Sequence, residues 1–92
     1  MKEQIGVIGV DAGLCWIGDP CYIMGTDATE QPAATWAEFC KKLTDNDFQQ
    51  WNFKLGHPGL GVSVSTGHGD GTYPVFIERG YDGRVKRVIV EF

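Results

Sequence analysis

Residues 72–92 read TYPVFIERGYDGRVKRVIVEF and carry more information about the architecture than any other part of the chain. β-Branched and aromatic residues fill two runs on either side of Asp82-Gly83, a dipeptide typical of a two-residue type I′ hairpin turn. With that turn, Tyr81 faces Arg84 and the residue numbers of every later pair add to 165. The sequence therefore predicts an antiparallel hairpin with one defined register.

The register predicts which side chains are neighbours across the hairpin. Three apolar pairs should share one face, namely Ile77 with Val88, Val75 with Val90, and Tyr73 with Phe92. The opposite face should hold one apolar pair and one ion pair, namely Phe76 with Ile89 and Glu78 with Arg87. Because both faces are partly apolar, we expect both to be at least partly covered.

Pro74 tests this register, because proline has no N–H to donate to a ladder. Opposite Glu91, in a non-hydrogen-bonded pair, its nitrogen would point away from the last strand. The missing donor would then fall toward a neighbouring strand, for which we expect the one containing Val62 and Val64.

The first part of the chain has the pattern of another hairpin. β-Branched residues and glycine fill 5–10, turn residues follow at 11–13, and an apolar run resumes at 14–17. A three-residue loop of this kind needs one residue in the left-handed region, and Gly13 suits that position. We therefore expect residues 5–10 and 14–17 to pair with each other.

A single helix is predicted at about residues 35–45. Thr35 followed by Glu38 is a capping-box signature, and Asp45 or Asn46 can end the helix. An apolar face follows the i, i+3, i+4, i+7 spacing, with Trp36, Phe39, Cys40 and Leu43.

Two further strands are predicted from period-2 alternation over residues 50–55, with Leu55 on the buried side, and over residues 60–65. The predicted fold class is α+β, with an antiparallel twisted sheet or small open barrel of five to six strands and one amphipathic helix. Ninety-two residues suit one core, so residues 1–92 are predicted to form a single domain.

Composition excludes several classes of function. A net charge of −4 argues against duplex nucleic acid, whose binding needs a basic surface, and 42% hydrophobic residues argue against disorder. The sequence contains neither a membrane-length apolar run nor a signal peptide, so we expect a cytoplasmic protein that does not bind membranes. Three cysteines without a CxxC pair indicate reduced thiols.

Charge is unevenly distributed along the chain. Residues 1–47 carry a net −5 and residues 48–92 a net +1. Any anion site is therefore expected to draw on the second half, where the candidates are Arg79, Arg84, Lys86 and Arg87. The alternative is that these charges form a solvated strand face.

The glycine-dense segment 67–71 is the first candidate for a site. Gly67, Gly69 and Gly71 alternate with His68 and Asp70, and such a loop can turn backbone amides toward an anion. It has neither the ending of a phosphate-binding Walker loop nor a helix after it. The alternative is a hairpin loop whose glycines only supply positive φ.

Asp19, in the segment GDPCY at 18–22, is the second candidate. Its carboxylate can accept local backbone N–H groups, or it can approach Asp70 and hold a ligand between two hairpins. Donor types suitable for a metal or a thiol enzyme are also present, namely Asp19, Cys21, His57, His68 and Asp70, but their spacing carries no metal signature. We predict neither a metal nor a cofactor.

Three segments resemble landmarks of an uncharacterised family of small bacterial and bacteriophage proteins. They are VDAG at 10–13, IGDPCY at 17–22 and GDGTYPV at 69–75. The resemblance implies a β-rich domain and a phage origin, and it transfers no catalytic residue.

The predicted function is that of a small non-enzymatic binding module, as expected for a phage-type accessory protein, for either a host protein or a small anionic, nucleotide-like ligand. The residues predicted to bind it are Asp19, Tyr22, Gly67, His68, Gly69, Asp70, Gly71, Tyr73 and Arg79. A small metal-dependent or thiol hydrolase built on Asp19, Cys21, His68 and Asp70 is one alternative. A structural protein that forms a homo-oligomer through an edge strand is another.

Overall fold

The computed structural model describes residues 1–22, 30–43 and 46–92. In order along the chain, the elements are β1 (Lys2–Val10), β2 (Leu14–Gly18), a 3-10 turn (Pro20–Tyr22), α1 (Trp36–Lys42), β3 (Phe48–Asn52), β4 (Pro58–Ser65), β5 (Gly71–Arg79) and β6 (Val85–Val90). The strands form two antiparallel sheets, in the orders β1-β5-β6 and β2-β4-β3. The α+β class is confirmed, and the described residues contain no closed barrel.

The chain divides into two compact units, which are described separately. Unit 1 comprises Met1–Leu14 and Thr66–Phe92 and contains the first sheet. Unit 2 comprises Cys15–Ser65 and contains α1 and the second sheet. That residues 1–92 act as one domain remains a prediction. α1 has seven residues, and no described helix is long and apolar enough to cross a membrane.

The predicted pairing of the first two strands is wrong. Gly13 has the expected positive φ, +67°, but it connects strands of different sheets. β1 instead pairs with β5 from Lys2 opposite Glu78 to Val10 opposite Gly71. This ladder is longer than any that five-residue β2 could offer, so it satisfies more of the backbone polar groups of β1.

The hairpin of β5 and β6 has the predicted register. The observed pairs are Val75 with Val90, Phe76 with Ile89, Ile77 with Val88, and Glu78 with Arg87. The last pair forms the predicted ion pair, with 2.8 Å between Arg87 Nη1 and Glu78 Oε1. Phe92 packs edge-on against Tyr73 at 5.3 Å between ring centroids, so this predicted neighbour is confirmed too.

The turn of this hairpin differs from the prediction. Gly83 donates its N–H to the carbonyl of Gly80 at 3.0 Å and has a φ of +84°. Asp82 lacks the positive φ that a type I′ turn requires. Next to this turn, Arg79 pairs with Val85, so their residue numbers add to 164. A register shift between Arg79 and Glu78 restores the total of 165 for the rest of the hairpin. The bulge thus gives the predicted register despite a different turn.

Pro74 also behaves differently from the expectation. Glu91 donates its backbone N–H to the Pro74 carbonyl at 3.3 Å, so the polar groups of Pro74 point toward β6. Its missing donor costs little because β6 ends at Val90, where the ladder ends. The other neighbour of β5 is β1, so the expected contact with the strand containing Val62 is wrong.

The helix is real but shorter than predicted. Thr35 Oγ1 accepts the backbone N–H of Glu38 at 3.2 Å, and Glu38 Oε2 accepts that of Ala34 at 3.1 Å, so the predicted N-terminal cap is confirmed. Leu43 is extended, with φ −66° and ψ 139°, and ends the helix after Lys42. The predicted end at Asp45 or Asn46 is therefore wrong, and residues 44–45 lie outside the described residues.

An aromatic cluster forms the core of unit 2. The ring of Phe39 lies 6.0 Å from Trp16 and 4.9 Å from Trp51, measured between centroids. Trp51 donates its indole N–H to the hydroxyl of buried Ser63 at 3.0 Å. On the predicted helical face Phe39 is buried, whereas Trp36 is 59% exposed and also contacts Phe39. One ring of α1 therefore anchors the helix on the sheet.

The structure explains one glycine of β4 and shows where β3 ends. Glycine at position 61 leaves room for Trp16, because a Cβ there would overlap the six-membered ring of the indole. β3 ends at Asn52, and Phe53 begins a turn in which it accepts a hydrogen bond from Gly56. The predicted strand to residue 55 is thus too long, and Leu55 is 90% exposed instead of buried.

Candidate functional site

The glycine-dense loop uses its own polar groups to hold its shape. Gly69 donates its N–H to the Thr66 carbonyl at 2.9 Å. The Gly69 carbonyl accepts the hydroxyls of Thr66 and Tyr73, each at 2.6 Å. Positive φ at Gly69 (+78°) and Gly71 (+157°) permits this path. The N–H of Gly69 is therefore already committed, which weakens the interpretation of the loop as an anion-binding nest.

Asp70 has a structural partner within unit 1. Its Oδ1 accepts the backbone N–H of Gly13 at 2.8 Å, while the Gly13 carbonyl accepts the N–H of Thr66 at 2.9 Å. These two bonds tie the segment after β1 to the loop before β5. The carboxylate that sequence reasoning proposed for a ligand is thus engaged in holding the fold, and His68 beside it is exposed.

Arg79 does not join the loop residues. It is the last residue of β5, whereas Gly71 is the first. At about 3.3 Å per residue, the two are roughly 26 Å apart along the strand. The Arg79 guanidinium binds Glu3 Oε1 at 2.9 Å and the Gly83 carbonyl at 3.0 Å.

The other arginines of the second half also face carboxylates. Arg87 is paired with Glu78, and Arg84 Nε lies 3.9 Å from Asp82 Oδ2. The three arginines expected to serve an anion site therefore already lie next to carboxylates. Lys86, the fourth basic residue named in that expectation, is exposed on β6.

Asp19 and Tyr22 lie in unit 2 and form a local turn. Asp19 Oδ1 accepts the N–H of Cys21 at 2.9 Å, and its carbonyl accepts that of Tyr22 at 3.0 Å. The Tyr22 ring packs edge-on against Phe53 at 5.5 Å. Asp70 belongs to the other unit, so a ligand shared between Asp19 and Asp70 remains a prediction.

The same turn makes Cys21 a poor nucleophile. A side-chain hydrogen bond with Asp19 and the negative charge of that carboxylate raise the pKa of the Cys21 thiol. The pKa of Cys15 is raised by burial. Because the thiolate is the reactive form, neither group is activated for attack. Within residues 1–22, 30–43 and 46–92, no three His, Cys, Asp or Glu side chains group as metal ligands would.

A cleft of about 390 Å³ lies elsewhere in unit 2 and was not predicted from the sequence. The segment before α1, the last turn of α1 and the end of β3 enclose it. The residues that line it are Gln31, Pro32, Ala33, Ala34, Lys42, Asn52 and Lys54. Its volume falls within the range of small-molecule sites.

Two lysines are among the residues that line this cleft. Lys42 Nζ donates to the Pro32 carbonyl at 3.4 Å, and neither Lys42 nor Lys54 forms an ion pair with a carboxylate of the described chain. The lining residues within the described parts of the chain include no acidic one. Two fixed carboxylates lie beside the lining, because Glu30 accepts the backbone N–H of Lys54 at 3.0 Å and Glu38 accepts that of Ala34 at 3.1 Å. Lys42 and Lys54 are the charged residues among the described lining, in a unit whose sequence has six acidic residues and three lysines.

Gln31 adds an unused acceptor to the lining. Its Oε1 is buried and has no hydrogen-bond partner within the part of the chain that the structure describes. A buried acceptor without a donor costs about 1–3 kcal/mol. Because the oxygen has almost no accessible surface, a ligand in the cleft could donate to it only after the Gln31 side chain turns toward the cleft.

A second concavity, of about 400 Å³, is less suited to an anion. It surrounds the turn of the β5–β6 hairpin and is lined by Gly80, Tyr81, Asp82, Arg84, Val85 and Lys86. Asp82 supplies a carboxylate within the lining and accepts the backbone N–H of Arg84 at 3.0 Å. The negative charge of Asp82 disfavours an anionic ligand there.

The sequence carries no local signal for the unit 2 cleft. Lys42 has an ordinary place at the end of a helix, where it favours the helix dipole, and Lys54 follows a strand. Only the tertiary fold brings them to the segment at 31–34. The predicted resemblance to a bacterial and bacteriophage family stays a prediction. Comparison of the chain with protein-family models, with curated proteins and with solved structures gives no match.

Proposed function

We propose that this protein is a non-enzymatic binding module that holds a small anionic ligand in the cleft of unit 2. The observation that carries the proposal is the convergence of Lys42 and Lys54, without carboxylate partners in the described chain, on one concavity of an acidic unit. Like charges that face the same space gain from an anion placed between them.

The lining also indicates what kind of anion fits. Lys42 and Lys54 supply positive charge, the Gln31 side chain can accept a hydrogen bond once it turns toward the cleft, and Pro32 and Ala33 are apolar. A phosphorylated compound that carries an N–H or O–H group on an apolar ring satisfies all three. A nucleoside monophosphate is the simplest compound of this class, in line with the nucleotide-like ligand expected from the sequence.

The alternatives have less support. A thiol hydrolase needs a thiolate, and the raised pKa of Cys21 disfavours that form. Host-protein binding and a phage origin remain predictions. The anion site is therefore the proposal that can be tested most directly.

The test is calorimetric titration with adenosine monophosphate at low salt, using Lys42→Gln and Lys54→Gln. Each lysine is exposed, so a contact to phosphate should lie below the ~1.5–3 kcal/mol of buried charge-assisted bonds. At about 1 kcal/mol each, either substitution should weaken binding about fivefold. A higher salt concentration should also weaken the binding of the monophosphate by the wild-type protein.

Lys41→Gln is the matched control, because it removes the same charge from the same helix turn but does not line the cleft. It should leave the dissociation constant within about twofold. Adenosine, which lacks the phosphate, should bind far more weakly. The proposal fails if the wild-type protein shows no saturable binding of the monophosphate, or if Lys41→Gln weakens binding as much as the two cleft variants.

A further inference from the structure

β6 lies at the edge of the first sheet. The sheet order β1-β5-β6 leaves its outer side without a neighbouring strand in the described chain. Two of its three valines are exposed, Val85 at 51% and Val88 at 63%. An edge with free backbone groups and exposed apolar side chains is a template for pairing with another strand.

The hydrogen bonds of the hairpin identify which residues point outward. Glu91 donates inward to Pro74, and residues alternate in direction along a strand. Ile89 and Arg87 therefore also direct their N–H and C=O groups toward β5. Val88 and Val90 direct theirs away from the sheet, where they can bond to a second strand.

The two edges of this sheet are protected to different degrees. β1 carries a register irregularity between Gln4 and Gly6, and such a bulge disturbs any further pairing. β6 is regular from Arg87 to Val90 and contains no proline there. Its irregularity lies next to the turn, beyond this stretch.

We infer that β6 pairs antiparallel with β6 of a second copy of this chain, with Val88 opposite the partner subunit's Val90. Around a two-fold axis perpendicular to the sheet, paired residues must lie on the same face, so their numbers add to an even total. In this register the total is 178. Val88 and Val90 then exchange four backbone hydrogen bonds with the partner and join two three-stranded sheets into one.

Charge complementarity selects this register over its neighbours. A total of 178 places Arg87 opposite the partner subunit's Glu91 on both sides of the axis. Arg87 already faces Glu78, and Glu91 already pairs with Lys2, so the dimer would align a row of alternating charges. A total of 176 would place Arg87 opposite Ile89, and 180 would place Ile89 opposite Glu91. The total of 178 places Lys86 opposite the partner subunit's Phe92, but it is the one of the three registers in which Arg87 faces a carboxylate.

A single-cysteine scan tests the register. In a background in which exposed Cys21 and Cys40 are serine, Ile89→Cys would meet itself across the axis. The expected Cα separation of about 4.5 Å at a non-hydrogen-bonded pair suits a disulfide. Val88→Cys and Val90→Cys are the matched controls, because their own copies would be about 7–8 Å apart, which is too far for a disulfide.

Mild oxidation with diamide should therefore yield a covalent dimer from Ile89→Cys and little from the controls. Sedimentation of the wild-type chain up to about 1 mM should show a mass that rises with concentration, whether or not the variants fold. A single-chain mass throughout would overturn the inference. So would cross-linking that is strongest at position 88 or 90, or cross-linking of Ile89→Cys no greater than that of the controls, because an extended peptide or no partner would then fit the edge better.

Discussion

Replacing Gly61 by alanine should destabilise unit 2 severely for so small a change. The new Cβ would overlap the indole of Trp16, and the ring cannot stay in place. Overpacking of this kind costs about 1–3 kcal/mol. Moving Trp16 also weakens its ring contacts with Phe39 and Trp51, at 6.0 and 6.1 Å, each worth about 0.5–1.5 kcal/mol. We expect a loss of about 2–4 kcal/mol in the free energy of unfolding.

Urea unfolding followed by tryptophan fluorescence measures this loss. Gly9→Ala is the control, because a Cβ at that strand position meets no atom within 4 Å. It should change the free energy by less than about 0.5 kcal/mol. In a Trp16→Leu background the smaller side chain leaves room, so Gly61→Ala should cost less than about 1 kcal/mol. Equal costs for Gly61→Ala in both backgrounds, or a cost as small as that of Gly9→Ala, would refute the reasoning.

Three further predictions concern single groups. Ser63→Ala leaves the buried indole N–H of its partner unsatisfied and should lower the free energy of unfolding by about 1–3 kcal/mol in the same urea assay. Thr35→Ala removes the helix N-cap and should cost about 1 kcal/mol, seen as a lower melting temperature by circular dichroism, whereas no change would contradict the capping bond. In a Cys40→Ser background, Asp19→Asn should lower the raised pKa of Cys21 and so increase its rate of alkylation by iodoacetamide near pH ~8, and an unchanged rate would contradict this account of the thiol.

Features set by neighbouring residues could be predicted from the sequence. The cap at Thr35 depends on a contact three residues away, and the register of the last hairpin depends on a short turn. Even the unexpected turn at Gly80–Gly83 preserved that register, because the alternation of apolar residues on β5 and β6 fixes which faces must match. Local patterns thus identified these elements correctly.

Features set by distant residues could not. The β-branched residues and glycines at 5–10 indicate a strand but do not show which strand it pairs with. β1 pairs with β5 and not with β2. For this reason the strands form two sheets, whereas the sequence predicted one sheet or a small open barrel. Register with a remote strand depends on tertiary packing, which a single sequence does not encode in any short window.

The candidate site illustrates the same limit. Sequence reasoning chose the residues with distinctive turn chemistry, but Asp70 and the Gly69 carbonyl are engaged in hydrogen bonds that hold the loop. Lys42 and Lys54 have no distinctive local pattern, and they line one cleft only because α1 and the end of β3 meet. Turn motifs therefore identified residues that hold the fold, whereas two lysines without an ion-pair partner among the described residues could be found only from the tertiary structure.

The most direct test of the anion site is a map of amide chemical shifts during titration with adenosine monophosphate. If the ligand binds in the unit 2 cleft, the amides of Ala33, Ala34, Asn52 and Lys54 should shift together along one saturation curve. Shifts confined to residues 67–71, with the cleft amides unmoved, would contradict the proposed site.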